Sequence, residues 1–380
     1  MVQPISVFKG LEGVYVTESA LSLIDSENGV LYYAGYDVKE LVERSSFEEV
    51  VFLMLHQRLP TSSEFTEFLK LLRRSQELEP IHIETIRKYA GVTDILSLLA
   101  MLIVLEGRGK IGGNSNDFNA AVNAVAKMGS FFSTIIRVRY GGDYIPPRRD
   151  LSFPENLLYM MNGEVPSREH ADVLDDLLIL HAEHGIPAST FASLVAASTL
   201  SDLYSSIAAG ILALKGPLHG GASEASYAQA LSIGSVEKVP EWVQLTLSEK
   251  KKIMGFGHRV YKIYDPRATI VKNIIARFMG SMNSEVKKVY EITRALEEYG
   301  EKYLASRGIY PNVDLWTPIL YRMIGLPADS FTALFAVSRT AGWVAHILEY
   351  WRENKLIRPL HLYVGERPRK YIPLELRTGS

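Results

Sequence analysis

The chain has 380 residues, 47% apolar and 22% charged, and its 41 basic and 43 acidic side chains leave a formal charge of −2. That composition is globular with material for a sizeable core, and the balance of charge excludes the strongly basic footprint of a nucleic-acid binder. The absence of cysteine excludes disulfides, thiolate metal ligands and a cysteine nucleophile.

In chain order, Met1-Val2-Gln3-Pro4 lacks the charged-then-apolar pattern of a signal peptide. With no cysteine to oxidise, the chain is expected in the cytoplasm. Only five glutamines accompany the missing cysteines, a shortage of heat-labile residues that points to a thermophile. Val14-Tyr15-Val16-Thr17 and Gly29-Val30-Leu31-Tyr32-Tyr33 flank the turn-forming Asp25-Ser26-Glu27-Asn28-Gly29 and predict a small hairpin. Helical signals dominate from there on. Ser46 with Glu49 and Thr61 with Glu64 have capping-box spacing, each followed by apolar residues three and four apart.

Ile95 to Leu105, followed by Gly107, Gly109 and Gly112, matches the dinucleotide-binding turn G-x-G-x-x-G. Ile95, Leu96, Leu98, Leu99, Leu102 and Ile103 nevertheless suit a helix, and no acidic residue lies at 125–135 to hold a ribose. A helix-ending loop is the better reading. Ser167 opens a helix with Leu174, Leu177, Leu178 and His181 on one side, and Gly185 is placed to end it. His181 and His184 stand three apart on that helix, a zinc-compatible spacing, but no H-E-x-x-H is present and no metal is assigned.

Glu285 to Ala305 reads as a charged amphipathic helix and Asp329 to Arg352 as a long apolar one. The most membrane-like run, Ser330 to Leu348, contains Arg339 and His346, so a buried helix of a soluble protein is expected rather than a span. Hinges at Lys215 to Gly221 and at Gly325-Leu326-Pro327 bracket a more polar segment of about a hundred residues. That segment reads as a smaller domain inserted in a larger one.

Two histidines are set among glycines, His219 in Lys215-Gly216-Pro217-Leu218-His219-Gly220-Gly221 and His258 in Gly255-Phe256-Gly257-His258. Flanking glycines admit a ligand close to the backbone and leave the imidazole unshielded. Ala222 to Leu231 looks helical, so His219 falls near a helix N-terminus, where the dipole disfavours imidazolium. A neutral imidazole there can donate to a developing oxyanion. Arg259, Lys262 and Arg267 follow His258 and make its loop suited to phosphate or carboxylate. Asp314, in Pro311-Asn312-Val313-Asp314, supplies a carboxylate in a turn-like setting. Arg339 is the only formally charged residue between Asp329 and Glu349 and must meet an internal acid or an anionic ligand. Arg358 precedes Pro359, so its backbone should be extended and able to reach a neighbour.

Gly255 to Arg267 fits the pattern G-[FY]-G-H-x-[IV]-x-[RK]-x-x-D-P-R. With Gly216 to Gly221, Pro311 to Asp314, Arg358-Pro359, Asp25 to Gly29 and Gly35-Tyr36, the chain resembles the citrate synthases over essentially its whole length. The resemblance implies an all-α homodimer with a small N-terminal β-hairpin. Residues 1–221 and 326–380 would form a large domain, and 222–325 a small domain that closes over the substrates.

It implies that Asp314 takes a proton from acetyl-CoA, that His219 stabilises the enol or enolate, and that His258 polarises the ketone of oxaloacetate. His184, Arg267, Arg339 and Arg358 of the partner subunit would hold oxaloacetate. Lys262, Arg307 and the backbone at Met254, Gly255 and Phe256 would meet coenzyme A, a co-substrate rather than a tightly bound cofactor. Neither metal, nucleic acid nor membrane is implied.

Three departures from the family pattern stand out. Leu315-Trp316-Thr317-Pro318 replaces an aromatic residue followed by Ser-Gly, so Trp316 and Pro318 are expected to reshape the acyl pocket or tilt Asp314. Ala34 stands where the family has arginine, and Ile186-Pro187-Ala188 where many members have asparagine. These changes keep two alternatives in view: a 2-methylcitrate synthase using propionyl-CoA, and a non-catalytic paralogue that binds CoA or dicarboxylates.

Overall fold

The computed structural model describes residues 6–110, 112–258, 260–261 and 263–377. The fold is helical with one small sheet, as expected. Strands β1 (Ser22–Asp25), β2 (Val30–Tyr33) and β3 (Tyr36–Asp37) form an antiparallel sheet in sequential order. The hairpin turn is where the sequence placed it, but Val14–Thr17 is not a strand. A strand can pair through the turn at 25–29 only if it abuts that turn, so Ser22–Asp25 pairs with Val30–Tyr33 in spite of its weaker propensity.

Among the described residues ten α-helices precede the first hinge: α1 (Val38–Arg44), α2 (Phe47–His56), α3 (Ser62–Ser75), α4 (Pro80–Tyr89), α5 (Ile95–Glu106), α6 (Phe118–Arg139), α7 (Phe153–Asn162), α8 (Arg168–His181), α9 (Ala188–Ser198) and α10 (Leu203–Leu214). Then follow α11 (Ala222–Ile233), α12 (Val239–Ser248), α13 (Pro266–Phe278), α14 (Ser284–Leu304), α15 (Val313–Met323) and α16 (Phe331–Arg352).

Thr61 and Glu64 form a reciprocal capping box at α3. At α2 the box is one-sided: Ser46 accepts from the Glu49 amide, while the Glu49 carboxylate takes the Ser45 hydroxyl instead. The glycine run after α5 ends that helix, as expected. Gly107 is required because a Cβ there would lie 2.7 Å from Tyr204 of α10. Ile111, within that run, lies outside the described residues.

α16 is the axis of the core. It is buried along nearly its whole length and packs on α2, α6, α8, α9 and α10. Among the described residues, Ala328–Arg352 is the one helical stretch long and apolar enough to cross a membrane, and 94% of its most apolar window is buried inside the protein. α11 to α15 pack chiefly on one another and meet the remainder where α13 and α15 touch α8 and where α11 touches α16.

Candidate active site

His219 ends a tight turn after α10. The Gly220 amide donates back to the carbonyls of Leu214 and Gly216. A Cβ on Gly220 would fall 2.2 Å from the Leu214 oxygen and 2.7 Å from Thr332, so only glycine allows the turn to lie against α16. The imidazole Nε2 lies 3.2 Å from the Ser189 amide and 2.8 Å from its hydroxyl. A backbone amide only donates, so Nε2 is the acceptor and Nδ1 carries the proton. Burial, reinforced by the Arg339 charge, pulls the pKa of His219 down to about 4. The ring is therefore neutral, and it caps an orphan amide in the first turn of α9 while standing just ahead of α11.

His258 is fixed by the same logic in the opposite tautomer. Its Nδ1 accepts from the amides of Val260 at 3.2 Å and Tyr261 at 3.0 Å, leaving Nε2 to bear the proton. Its loop is clamped to the start of α15: the Gly257 amide donates to Tyr310, the Asn312 amide to Gly255, and the Asn312 side chain to the Gly257 carbonyl at 2.8 Å. Gly255 and Gly257 both have positive φ, and a Cβ on Gly255 would collide with Leu315 at 2.7 Å.

Asp314 lies in the first turn of α15, capped by Asn312, rather than in a free turn. Its Oδ1 accepts from Ser223 at 2.6 Å, and the Ser223 oxygen is 3.2 Å from the Thr317 hydroxyl. Burial raises the Asp314 carboxyl above its usual range, against the lowering by Ser223 and Arg267. A carboxylate so placed is a stronger base than an exposed one.

Trp316 does not face this carboxylate. Its indole donates to Glu297 of α14 at 3.1 Å and packs near Tyr290 and Lys272, so it belongs to the core. Pro318 sits inside α15 and, lacking an N–H, makes no helical bond to the Asp314 carbonyl.

His184 and His258 meet with ring centroids 5.2 Å apart. His184 is not on the helix with His181, because α8 stops at His181. Tyr33 takes over the last-turn carbonyls of Ile179 and Leu180 there, so the chain turns out at a tertiary contact rather than at Gly185. Burial and then Arg267 lower the His184 pKa well below its usual value, so the ring is neutral, and its buried Nε2 has no hydrogen-bond partner among the described residues. His181 is also neutral, its pKa lowered to about 3 through burial, and its Nδ1 donates to the Leu177 carbonyl at 2.8 Å.

Arg267 is buried and forks onto Asp265 through Nε at 3.1 Å and Nη2 at 2.9 Å. Arg339 is buried too. Its Nε donates to the His181 carbonyl at 2.9 Å and its guanidinium lies 4.7 Å from the Phe335 ring centroid. Among the described residues no carboxylate forms an ion pair with it. Two buried guanidiniums with one paired acid, both acting electrostatically on His184, make surroundings that favour an anion.

The remaining candidates are more scattered. Arg307 is exposed at the end of a short 3-10 turn. Both backbone groups of Met254 are bound to the Gln229 side chain, and the Phe256 ring packs on Gly300. Lys262 lies outside the described residues. Arg358 is exposed on a segment without helix or strand, away from this cluster's hydrogen bonds. Sequence reasoning missed Ser189 and Ser223, since a serine next to a helix start carries no distinguishing signal. Asp265 was visible as the carboxylate two residues before Arg267, but its pairing was not.

A family model described as "Citrate synthase, C-terminal domain" matches residues 10–360. The citrate synthase of Saccharolobus solfataricus is 40% identical over 377 residues, covering 98% of this chain and 99% of that protein. Citrate synthase 2 of Bacillus subtilis is 38% identical, covering 97% and 99%. Among solved structures, the Thermoplasma acidophilum citrate synthase in ternary complex with carboxymethyl coenzyme A and oxaloacetate superposes with TM-score 0.93 at 38% identity, covering 98% of this chain and 100% of that one. The Pyrobaculum aerophilum enzyme gives 0.89 at 40%, covering 98% and 95%.

Proposed function

The chain belongs to the citrate synthase family, and from that premise we propose that it condenses acetyl-CoA with oxaloacetate and water to citrate and CoA, as an acyltransferase. One observation carries the reading. In each glycine-flanked histidine a backbone amide donates to one ring nitrogen, which fixes the tautomer and places the proton on the other nitrogen, Nδ1 in His219 and Nε2 in His258.

Asp314 removes a proton from the methyl carbon of acetyl-CoA. Neutral His219 donates from Nδ1 to the thioester oxygen, stabilising the enolate without surrendering its proton. His258 donates from Nε2 to the oxaloacetate ketone, the enolate carbon attacks that carbonyl, and His258 protonates the new alkoxide. Water then cleaves the thioester. His184, Arg267, Arg339 and the partner's Arg358 bind the two carboxylates of oxaloacetate, with forked contacts from the arginines. Coenzyme A lies along Lys262, Arg307 and the backbone of Met254, Gly255 and Phe256.

The same reading divides the chain into a large domain of 1–221 and 326–380 and a small one of 222–325. The mutual packing of α11 to α15 supports it. A homodimer is supported by apolar side chains left exposed on α5, α9 and α10, among them Met101, Val104, Val195 and Leu212. The test is CoA-thiol release with oxaloacetate and either acetyl-CoA or propionyl-CoA, for which a cysteine-free protein gives no background. A higher kcat/KM with acetyl-CoA is expected. A preference for propionyl-CoA assigns the 2-methylcitrate reaction instead, and no release from either thioester overturns catalysis.

A further inference from the structure

The N-terminal sheet has strands of four, four and two residues, too little to stand without the helices beneath it. Its contacts converge on the loop that carries His184. Ser22 and Tyr33 are direct cross-strand partners, so their side chains share one face of the sheet.

The Tyr33 hydroxyl lies 3.1 Å from the Ile179 carbonyl, 3.3 Å from that of Leu180 and 3.0 Å from that of Glu183, and 3.3 Å from the Glu183 amide. It occupies the open end of α8, where last-turn carbonyls lack helical donors. The Ser22 hydroxyl donates to Glu183 Oε1 at 3.0 Å and accepts from the Gly185 amide at 3.1 Å. The residues on both sides of His184 are thus tied to one cross-strand pair, and the imidazole between them is presented to His258.

The tie extends in two directions. Glu183 Oε1 also meets His346 Nε2 at 3.0 Å, which anchors the loop to α16, the helix of Arg339. At the other end of the hairpin, Gly29 packs on Ile263, which lies between His258 and Arg267; a Cβ on Gly29 would come within 3.0 Å of its Cδ1. One small sheet therefore braces the loop of His184 and touches the segment of His258.

We propose that Ser22 and Tyr33 are positioning residues for oxaloacetate, setting the orientation of His184 through the cross-strand pair that grips Glu183 and Gly185. The proposal rests on the reading of His184 as an oxaloacetate ligand.

The experiment measures oxaloacetate affinity by calorimetry and both KM values by steady-state kinetics, on the full-length protein and its Ser22→Ala, Ser22→Thr and Tyr33→Phe variants. Ser22→Ala and Tyr33→Phe should each weaken oxaloacetate on the order of tenfold and leave the KM for acetyl-CoA within about twofold, a loss consistent with one buried hydrogen bond. Ser22→Thr keeps the hydroxyl and should restore most of the affinity. Tyr33→Phe removes one oxygen and little volume, so it reports on positioning even where Ser22→Ala fails to fold. Unchanged oxaloacetate affinity in folded variants, or equal changes in both KM values, overturns the proposal alone. Wild-type protein that binds no oxaloacetate overturns the parent reading and this one with it.

Discussion

Ser223 donates its hydroxyl to Asp314 at 2.6 Å although the two stand 91 positions apart in sequence. Ser223 lies one residue into α11, which begins just after the His219 turn, and Asp314 lies in the first turn of α15. One hydrogen bond therefore links the segment of the proposed enolate stabiliser to the proposed base, and it opposes the burial that raises the Asp314 pKa. The base works ionised, so kcat/KM should fall as pH drops through that raised pKa. Removing the bond with Ser223→Ala leaves burial less opposed and moves the acid limb to higher pH. A hydrogen bond to a charged group is worth about 1.5–3 kcal/mol, or about one to two pH units. Profiles of kcat/KM from pH 4 to 8 that superimpose for the two proteins would show that Ser223 does not tune the base.

Asp314→Ala should lower kcat by at least about 10²–10⁴, the usual contribution of a positioned base. Oxaloacetate should still bind, because the groups proposed to hold it, His184, Arg267 and Arg339, stand on other elements. Calorimetry with oxaloacetate beside thiol-release kinetics separates the two effects. Near-normal turnover would remove Asp314 from the mechanism.

Much of this site was legible in the sequence because glycine marks it. Gly220 and Gly255 stand where any side chain would collide with the Leu214 oxygen or with Leu315, so the glycines that flag the histidines are also structural necessities. The capping box at Thr61 was legible for a similar reason, since all its partners lie within one turn. What failed depended on distant partners. Val14–Thr17 has strand propensity but pairs with no strand among the described residues, whereas Ser22–Asp25 gains its structure from β2. Helical periodicity carried His184 onto α8, whereas the carbonyls at the end of that helix are taken by Tyr33 and Arg339, each about 150 positions away. Trp316 drew attention as a change beside the base, yet its ring is claimed by Glu297.

Arg339 should prove poorly replaceable by lysine. Its Nε is spent on the His181 carbonyl, which leaves the terminal nitrogens of the fork for a carboxylate, and an ammonium cannot serve both directions. Arg339→Lys is expected to raise the oxaloacetate Kd about 10- to 100-fold, the equivalent of about 1.5–3 kcal/mol for a charge-assisted bond. Titration of folded variant with oxaloacetate checks this. An unchanged Kd would place the dicarboxylate elsewhere.

Asp176 of α8 and Arg277 of α13 form an ion pair at 2.6 Å across the proposed domain boundary. Burial lifts the Asp176 pKa to about 6, and Arg277 only partly opposes it. The folded protein thus holds that proton more tightly than the unfolded chain does. This stabilising term is full below the ordinary carboxylate pKa near 3.8 and is lost as pH rises through about 6. Asp176→Asn removes the titration, so the wild type should lose on the order of 1 kcal/mol relative to the variant between pH 5 and 7. Urea unfolding of both proteins at the two pH values measures the difference directly. Parallel changes in stability would mean that Asp176 titrates alike in the folded and unfolded chains, and that the ion pair fully offsets its burial.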